Sequence, residues 1–378
     1  MKKTLTLIIA FTLSALSLSA ATPWLKRPLR FVPADSVDTW GYDGHDLRTL
    51  AYQTDSTIAP PYLRLTRQEW QQRKQAFKQW ENGTHDRNCV GGSGTDLGAP
   101  QGLAAARWID LARQLFLTQG HADYMDYAER AIFNAIMHTV NDSLESRGTI
   151  DKLQAAQMLL CLPGMMYATS NEGDLYVNLY ANSTTRIPHQ EGSFTLDQIT
   201  DMPRSGSVKF RFMHMPAQGV AMTMRVRVPD WTAQRPNTPY IYVGAEPTQT
   251  TIYVNGHELS PLTIDSKGYV SITRTWRNLD EVYIDLPLQA QYIKPATTPD
   301  HNRMAPVYNQ TAMQWGPLVY VAKGEGCYFS MQQVAQPAND VTAQGYPILQ
   351  GTMYQHTDTP QDAAATGVKF MLKPYCEE

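Results

Sequence analysis

An imidazole, a thiol and two carboxylates crowd one glycine-rich stretch of this chain: His85, Asp86, Cys89 and Asp96, interleaved with Gly91, Gly92 and Gly94. Neutral imidazole and thiolate are ligands that zinc prefers, so His85 and Cys89 are a candidate metal pair; the same composition also describes a polar surface loop. Asp110, two residues after Trp108 in a stretch of helical period, is a candidate acid or base facing a cleft, or else the exposed side of an amphipathic helix. Asp142, Glu145, Glu172 and Asp174 lie near loops, where two carboxylates acting as acid and base would have to approach within ~10 Å. Trp231, Trp276 and Trp315 offer flat faces that cover the C–H faces of sugars, and strand tryptophans equally serve as core.

The elements that must hold these groups are legible as two periods. From Gly268 to Trp276, Tyr269, Ser271, Thr273 and Thr275 alternate with Val270, Ile272, Arg274 and Trp276, and Val282, Ile284 and Leu286 alternate with Tyr283 and Asp285. A period of two means short half-buried strands, here joined at Asn278-Leu279-Asp280. Residues 221–228 repeat the pattern, and Ile252-Tyr253-Val254 runs into Asn255-Gly256, the pair that favours a two-residue hairpin. Helical spacing dominates earlier, in four segments: Thr66 to Trp80, opened by the capping box Thr66-Arg67-Gln68-Glu69; Gln101 to Thr118, closed by Gly120; His121 to Val140; and Asp151 to Leu162, stopped by Pro163-Gly164.

Lys+Arg of 32 against Asp+Glu of 35 is nearly neutral, which argues against nucleic acid or an acidic membrane as partner. Lys2-Lys3, the apolar run Leu5 to Leu18 and Ser19-Ala20-Ala21 read as a secretory signal, giving an exported, periplasmic or extracellular product with no later stretch apolar enough to span a bilayer. Four cysteines do not make a disulfide framework; Cys327 and Cys376 are one conceivable pair, and Cys161 reads as a buried small hydrophobe.

Several motifs in order are more specific than any alone. Met224 to Trp231, Val254-Asn255-Gly256, Gly268-Tyr269-Val270 and Gln314 to Tyr320 resemble the β-sandwich of bacterial β-L-arabinofuranosidases, glycoside hydrolase family 127. The helical part is similar as well, in Val90 to Gly94, Gln114-Leu115-Phe116, Gly120 to Tyr124, Glu129 to Asn134, Leu162-Pro163-Gly164 and Asn171 to Tyr180. The resemblance covers most of the chain from Cys89 to Tyr375.

It implies a retaining hydrolase in which a cysteine thiolate attacks the anomeric carbon, zinc held by one glutamate and three cysteines keeps that thiolate ionised, and a second glutamate is the acid/base. The family's glutamate-x-cysteine aligns with Gln101-Gly102-Leu103 and its cysteine pair with Ile150-Asp151, while the acidic loop shortens to Thr95 through Pro100. Gln101 can hydrogen-bond a sugar but cannot deliver a proton. Zinc, expected in the family, therefore has no ligand set at the aligned positions, and no cofactor is expected.

The expected architecture is α plus β and multidomain: a partial (α/α) helical barrel-like domain packed on an antiparallel β-sandwich. Its parts are a signal at 1–21, an extended arm at 22–61, helices at 62–170, the sandwich at 171–323, and a C-terminal loop with a last strand at 324–378. Helices cut from a barrel should leave an apolar face for the arm, a partner chain or self-association. The expected role is in plant-polysaccharide side-chain breakdown, with the catalytic residues unidentified beyond Asp96 and Asp110 and the chemistry degenerate; the alternative is a non-catalytic glycan-binding or assembly partner.

Overall fold

A computed structural model describes residues 27–39, 102–138, 162–235, 240–244, 248–295, 312–321, 327–329, 335–343, 345–355 and 368–377. Strands are numbered in chain order. One sheet runs β1 (Leu29–Phe31), β3 (Tyr167–Ser170), β4 (Leu175–Val177), β8 (Val220–Arg227), β12 (Tyr269–Trp276), antiparallel except for the parallel β4–β8 pair. A second runs β11 (His257–Glu258), β10 (Thr251–Val254), β13 (Glu281–Asp285), β7 (Ser207–Met213), β6 (Phe194–Thr200), β5 (Ser183–Ile187), β2 (Val37–Thr39). Their inner faces share one core: Met224, Val226, Ile272 and Trp276 from the first meet Leu196, Phe210, Phe212, Val282 and Ile284 from the second. Trp276 stacks on Phe212 with centroids 4.2 Å apart, and Trp231 is equally buried, so these tryptophans are core and not a sugar platform; Trp315 is half-buried against the same cluster.

Period two places side chains in or out, as expected, but the pairing differs from a simple hairpin. β12 and β13 are consecutive yet lie in different sheets, with Arg277 to Asp280 crossing the edge of the sandwich. Leu279 takes a positive φ of 68° there, and its N–H donates to the Phe212 carbonyl at 2.7 Å. The Asn255-Gly256 turn does form the β10–β11 hairpin, both residues having positive φ as a type I′ turn demands.

Residues 27–39 add one edge strand to each sheet: β1 on β3, β2 on β5. Residues 327–329 and 336–341, read from composition as polar loop, are strands β17 and β18 of a third sheet. There β17 and β18 pair with β19 (Pro347–Gln355), followed by β20 (Val368–Pro374), β16 (Leu318–Val321), β15 (Ala312–Trp315), β14 (Ala290–Pro295) and β9 (Tyr240–Val243). β18 reads as loop because its described side chains are mostly exposed. Cys376 carries a buried thiol and not half of a disulfide.

Two helices cap the outer face of the first sheet: α1 (Gly102–Gln119) and α2 (Asp123–Ala131), the latter widening into a π turn over Ile132–Ile136. The segments 66–80 and 151–161 expected to be helical lie outside the described residues. Leu29, Phe116, Leu117, Ala122, Met125, Tyr176 and Tyr269 form a second apolar cluster beneath the helices. Ile109, Leu111, Ala112, Leu115, Tyr127, Ala128, Ile132 and Ile136 are buried as well. The exposed apolar face expected on these helices is thus absent among the described side chains. Among the described residues no helix is long and apolar enough to cross a membrane.

Candidate functional site

Among the described residues, the strongest concentration of ionisable chemistry lies at the seam where α2 meets the end of β8. Asp126, Glu129 and Arg130 project from α2 at spacings that put them on neighbouring faces, and all three are buried. Opposite stand Arg227, the last residue of β8, and Asp230, Trp231 and Arg235 from the turn after it. Arg227 is fully buried; it donates to Asp126 Oδ1 and Glu129 Oε1, both at 2.5 Å, and to the Asn178 carbonyl. Arg235 pairs with Asp123 and Asp126, while Arg130 Nη2 reaches both oxygens of Asp230 at 2.9 and 3.0 Å. Trp231 Nε1 donates to Glu129 Oε2 at 2.9 Å, and Tyr269 Oη to Asn178 Oδ1 at 2.7 Å.

Three guanidiniums face three fully buried carboxylates, with half-exposed Asp123 as a fourth. Burial works against the charge on Asp230, but Arg130 and Arg235 outweigh it and hold that carboxyl below its ordinary range. Burial pushes Glu129 up, with Arg227 pulling the other way; Arg227 itself is raised because Glu129 and Asp126 outweigh its desolvation. Each buried carboxylate there is engaged by guanidinium, and Glu129 by an indole as well, so the seam joins helix to sandwich.

Behind it, Asn134 in the π turn donates to the Arg130 and Pro317 carbonyls at 2.6 and 2.9 Å and accepts from the Val319 N–H at 2.8 Å. This side chain ties α2 to the β15–β16 hairpin.

Of the residues singled out from sequence, His85, Cys89, Asp96 and Gln101 lie outside the described residues, as do Asp142 and Glu145. Asp110 is on α1 and is 3 % exposed, so it is not the solvent side of an amphipathic helix; β1 and its flank cover that face. Its Oδ1 lies 3.5 Å from Arg113 Nη1, and Arg27 on the neighbouring strand's flank donates to Gln114 at 2.7 Å. Burial and Arg113 lower the Arg27 guanidinium's pKa while Asp110 raises it, and Arg113 sits 5.5 Å over the Phe31 ring. Asp174 is paired with Arg225 at 3.1 Å, and Glu172 is exposed in the β3–β4 turn. No group of three or more His, Cys, Asp or Glu able to hold a metal occurs among the described residues. The seam residues were visible in sequence as motifs, but nothing local said that residues about a hundred positions apart would neutralise each other.

Fold and seam together define an α plus β protein of several sheets, with helices docked on a β-sandwich through buried ion pairs. Residues 174–288, most of that sandwich, match the family profile described as "Beta-L-arabinofuranosidase, GH127 middle domain". Over that stretch the chain is similar to glycoside hydrolase family 127. Solved structures agree in fold: a GH127 β-arabinofuranosidase at 23% identity and TM-score 0.56 covers 73% of this chain and 47% of its own, and a GH127 β-L-arabinofuranosidase from Geobacillus stearothermophilus T6 at 16% identity and TM-score 0.62 covers 88% and 56%. A third, entitled glycoside hydrolase, stands at 18% identity and TM-score 0.53 and covers 74% and 50%. The chain spans about half the length of these structures. No curated protein matches it.

Proposed function

We propose that the chain is a carbohydrate-active protein of plant-polysaccharide side-chain breakdown, exported from the cell, that engages glycans without the thiolate chemistry of its family. The match of residues 174–288 to the GH127 middle domain carries the carbohydrate part of this reading. The loss of chemistry rests on Gln101, Leu103, Ile150 and Asp151 at the aligned zinc-ligand positions: an amide, two hydrocarbons and one carboxylate do not fit zinc, nor does any of them provide a sulfur nucleophile. The proton-donating role has no candidate in the seam, where every carboxylate is held by guanidinium.

Purified protein should turn over p-nitrophenyl β-L-arabinofuranoside no faster than buffer, and elemental analysis should find no stoichiometric zinc. A panel of aryl glycosides and plant oligosaccharides, scored for turnover and for binding, tests this. Clear turnover abolished by Asp96→Asn or Asp110→Asn, with circular dichroism unchanged, would show that a carboxylate site operates. About one zinc per chain, lost on Cys89→Ser, would revive the His85/Cys89 loop.

A further inference from the structure

The outer face of the seven-stranded sheet, turned away from the helices' sheet, carries a cross-strand aromatic pair. Tyr253 on β10 and Tyr283 on β13 are directly opposite in the antiparallel register, and the same row continues to Lys209 on β7 and Ile199 on β6. Tyr283 is 39% exposed and Ile199 42%, whereas the alternate residues Ile252, Val282, Ile284 and Val208 are fully buried. Strand alternation therefore turns both rings to the outer face, where Tyr283 is exposed and Tyr253 half-buried. Their ring centroids are 6.2 Å apart with the planes tilted by 50°, so the rings meet at an angle and do not stack face to face.

Three features make the pair more than two scattered surface aromatics. Ser207 Oγ and Tyr283 Oη are 2.9 Å apart, so the Tyr283 ring is tethered over the sheet before any ligand arrives. Hydrogen-bonding groups border the rings on both sides: Asp285 beyond Tyr283, exposed Glu258 opposite Tyr253, and Lys209 next in the row. The face carries both signs of charge: Lys209 and Arg211 share Glu281, at 2.9 and 2.6 Å, and Asp285 and Glu258 set negative charge beside them. Mixed charge with exposed aromatic faces does not suit a nucleic acid or an anionic surface, which need one sign. Nor does it suit a second copy of the chain, since close packing would strip water from those ion pairs while gaining only two rings and one isoleucine.

We propose that Tyr253 and Tyr283 form a binding surface for a neutral glycan chain on the outer face of the seven-stranded sheet. Each ring covers the C–H face of one sugar unit, and the tilt between the rings suits a chain whose successive units are rotated, while Lys209, Asp285 and Glu258 bond hydroxyls at its margins. The choice of glycan as ligand class rests on the carbohydrate reading above; the location rests on the two rings.

Affinity electrophoresis of the full chain through gels containing soluble arabinoxylan, arabinan or dextran tests it, with Tyr253→Ala, Tyr283→Ala, the double variant and Tyr283→Phe. We expect retardation by at least one of the two plant polysaccharides, each single alanine weakening it about tenfold, the loss that ~1.4 kcal/mol of ring contact represents. Tyr283→Phe should keep most of the affinity, and circular dichroism should show every variant folded. Retardation by the plant polysaccharides that survives in the double variant overturns the location while leaving the carbohydrate reading intact. A wild type retarded by neither overturns both. A double variant that changes oligomeric state with glycan binding unaltered overturns the proposal in favour of an interface between copies.

Discussion

Arg227 shows how one side chain decides whether two parts of the chain belong together. It is fully buried at the end of a strand, and its charge is tolerable only because Asp126 and Glu129 arrive from α2. Removing it by Arg227→Met leaves two desolvated carboxylates facing each other. We expect a loss of about 3–5 kcal/mol in urea unfolding, and an unchanged midpoint would mean that the pairs contribute nothing net. Asp230 gives the seam a pH dependence of known sign. Its folded carboxyl is held below the ordinary 3.8, so its stabilisation is complete above that value and is lost as pH falls through the folded value. Unfolding free energy followed below 3.8 should therefore drop more steeply in wild type than in Asp230→Asn, even though the variant starts less stable.

Between elements, single atoms set the fit. Asn134 satisfies the Val319 N–H and the Pro317 carbonyl from within a widened helical turn. Asn134→Ala should cost at least about 2 kcal/mol, because each buried group left unsatisfied costs ~1–3 kcal/mol. Hydrogen exchange at Val319 is the sharper measure: protection should fall in Asn134→Ala and survive in Asn134→Asp, which keeps the acceptor. At the other end of the sandwich, a Cβ on Gly206 would lie 1.8 Å from the Leu286 carbonyl oxygen, and Leu286 N–H bonds back to Gly206 at 3.0 Å. Backbone cannot yield as a side chain does. Gly206→Ala is expected to lower stability by about 3 kcal/mol through overpacking, read as a shift in denaturant midpoint with an unaltered slope.

For the molecule as a whole, residues 27–39 matter more than a covering arm does. β1 closes the free edge of Tyr167–Ser170 in one sheet and β2 that of Ser183–Ile187 in the other, while Leu29 and Phe31 pack with Phe116 beneath the helices. Deleting 22–61 uncovers two strand edges and an apolar cluster at once. Aggregation is the expected outcome in size-exclusion chromatography, since exposed edges template further pairing. A truncated protein that stays monomeric and melts as before would mean that other segments close those edges. Likeness of fold does not by itself carry chemistry, because core packing and reactive groups are specified by different side chains.

Period and turn chemistry were sufficient, read from sequence alone, for the strands at 220–227 and 269–285, the hairpin at Asn255-Gly256 and the helix over 102–119, because alternation, αL preference and helical spacing are local properties. Partners were not local. Nothing in the alternation of 269–285 separates β12 from β13 into two sheets; that follows from which edge each meets after the chain crosses at Leu279. Asp110 reads as surface on a helical wheel and is buried because β1, far away in sequence, lies against it. Tyr253 and Tyr283 become neighbours only through the β10–β13 register, and Arg227 finds its carboxylates only when α2 docks. A side chain's period says whether it faces the core, but only the packed chain supplies the charge, ring or edge it meets there.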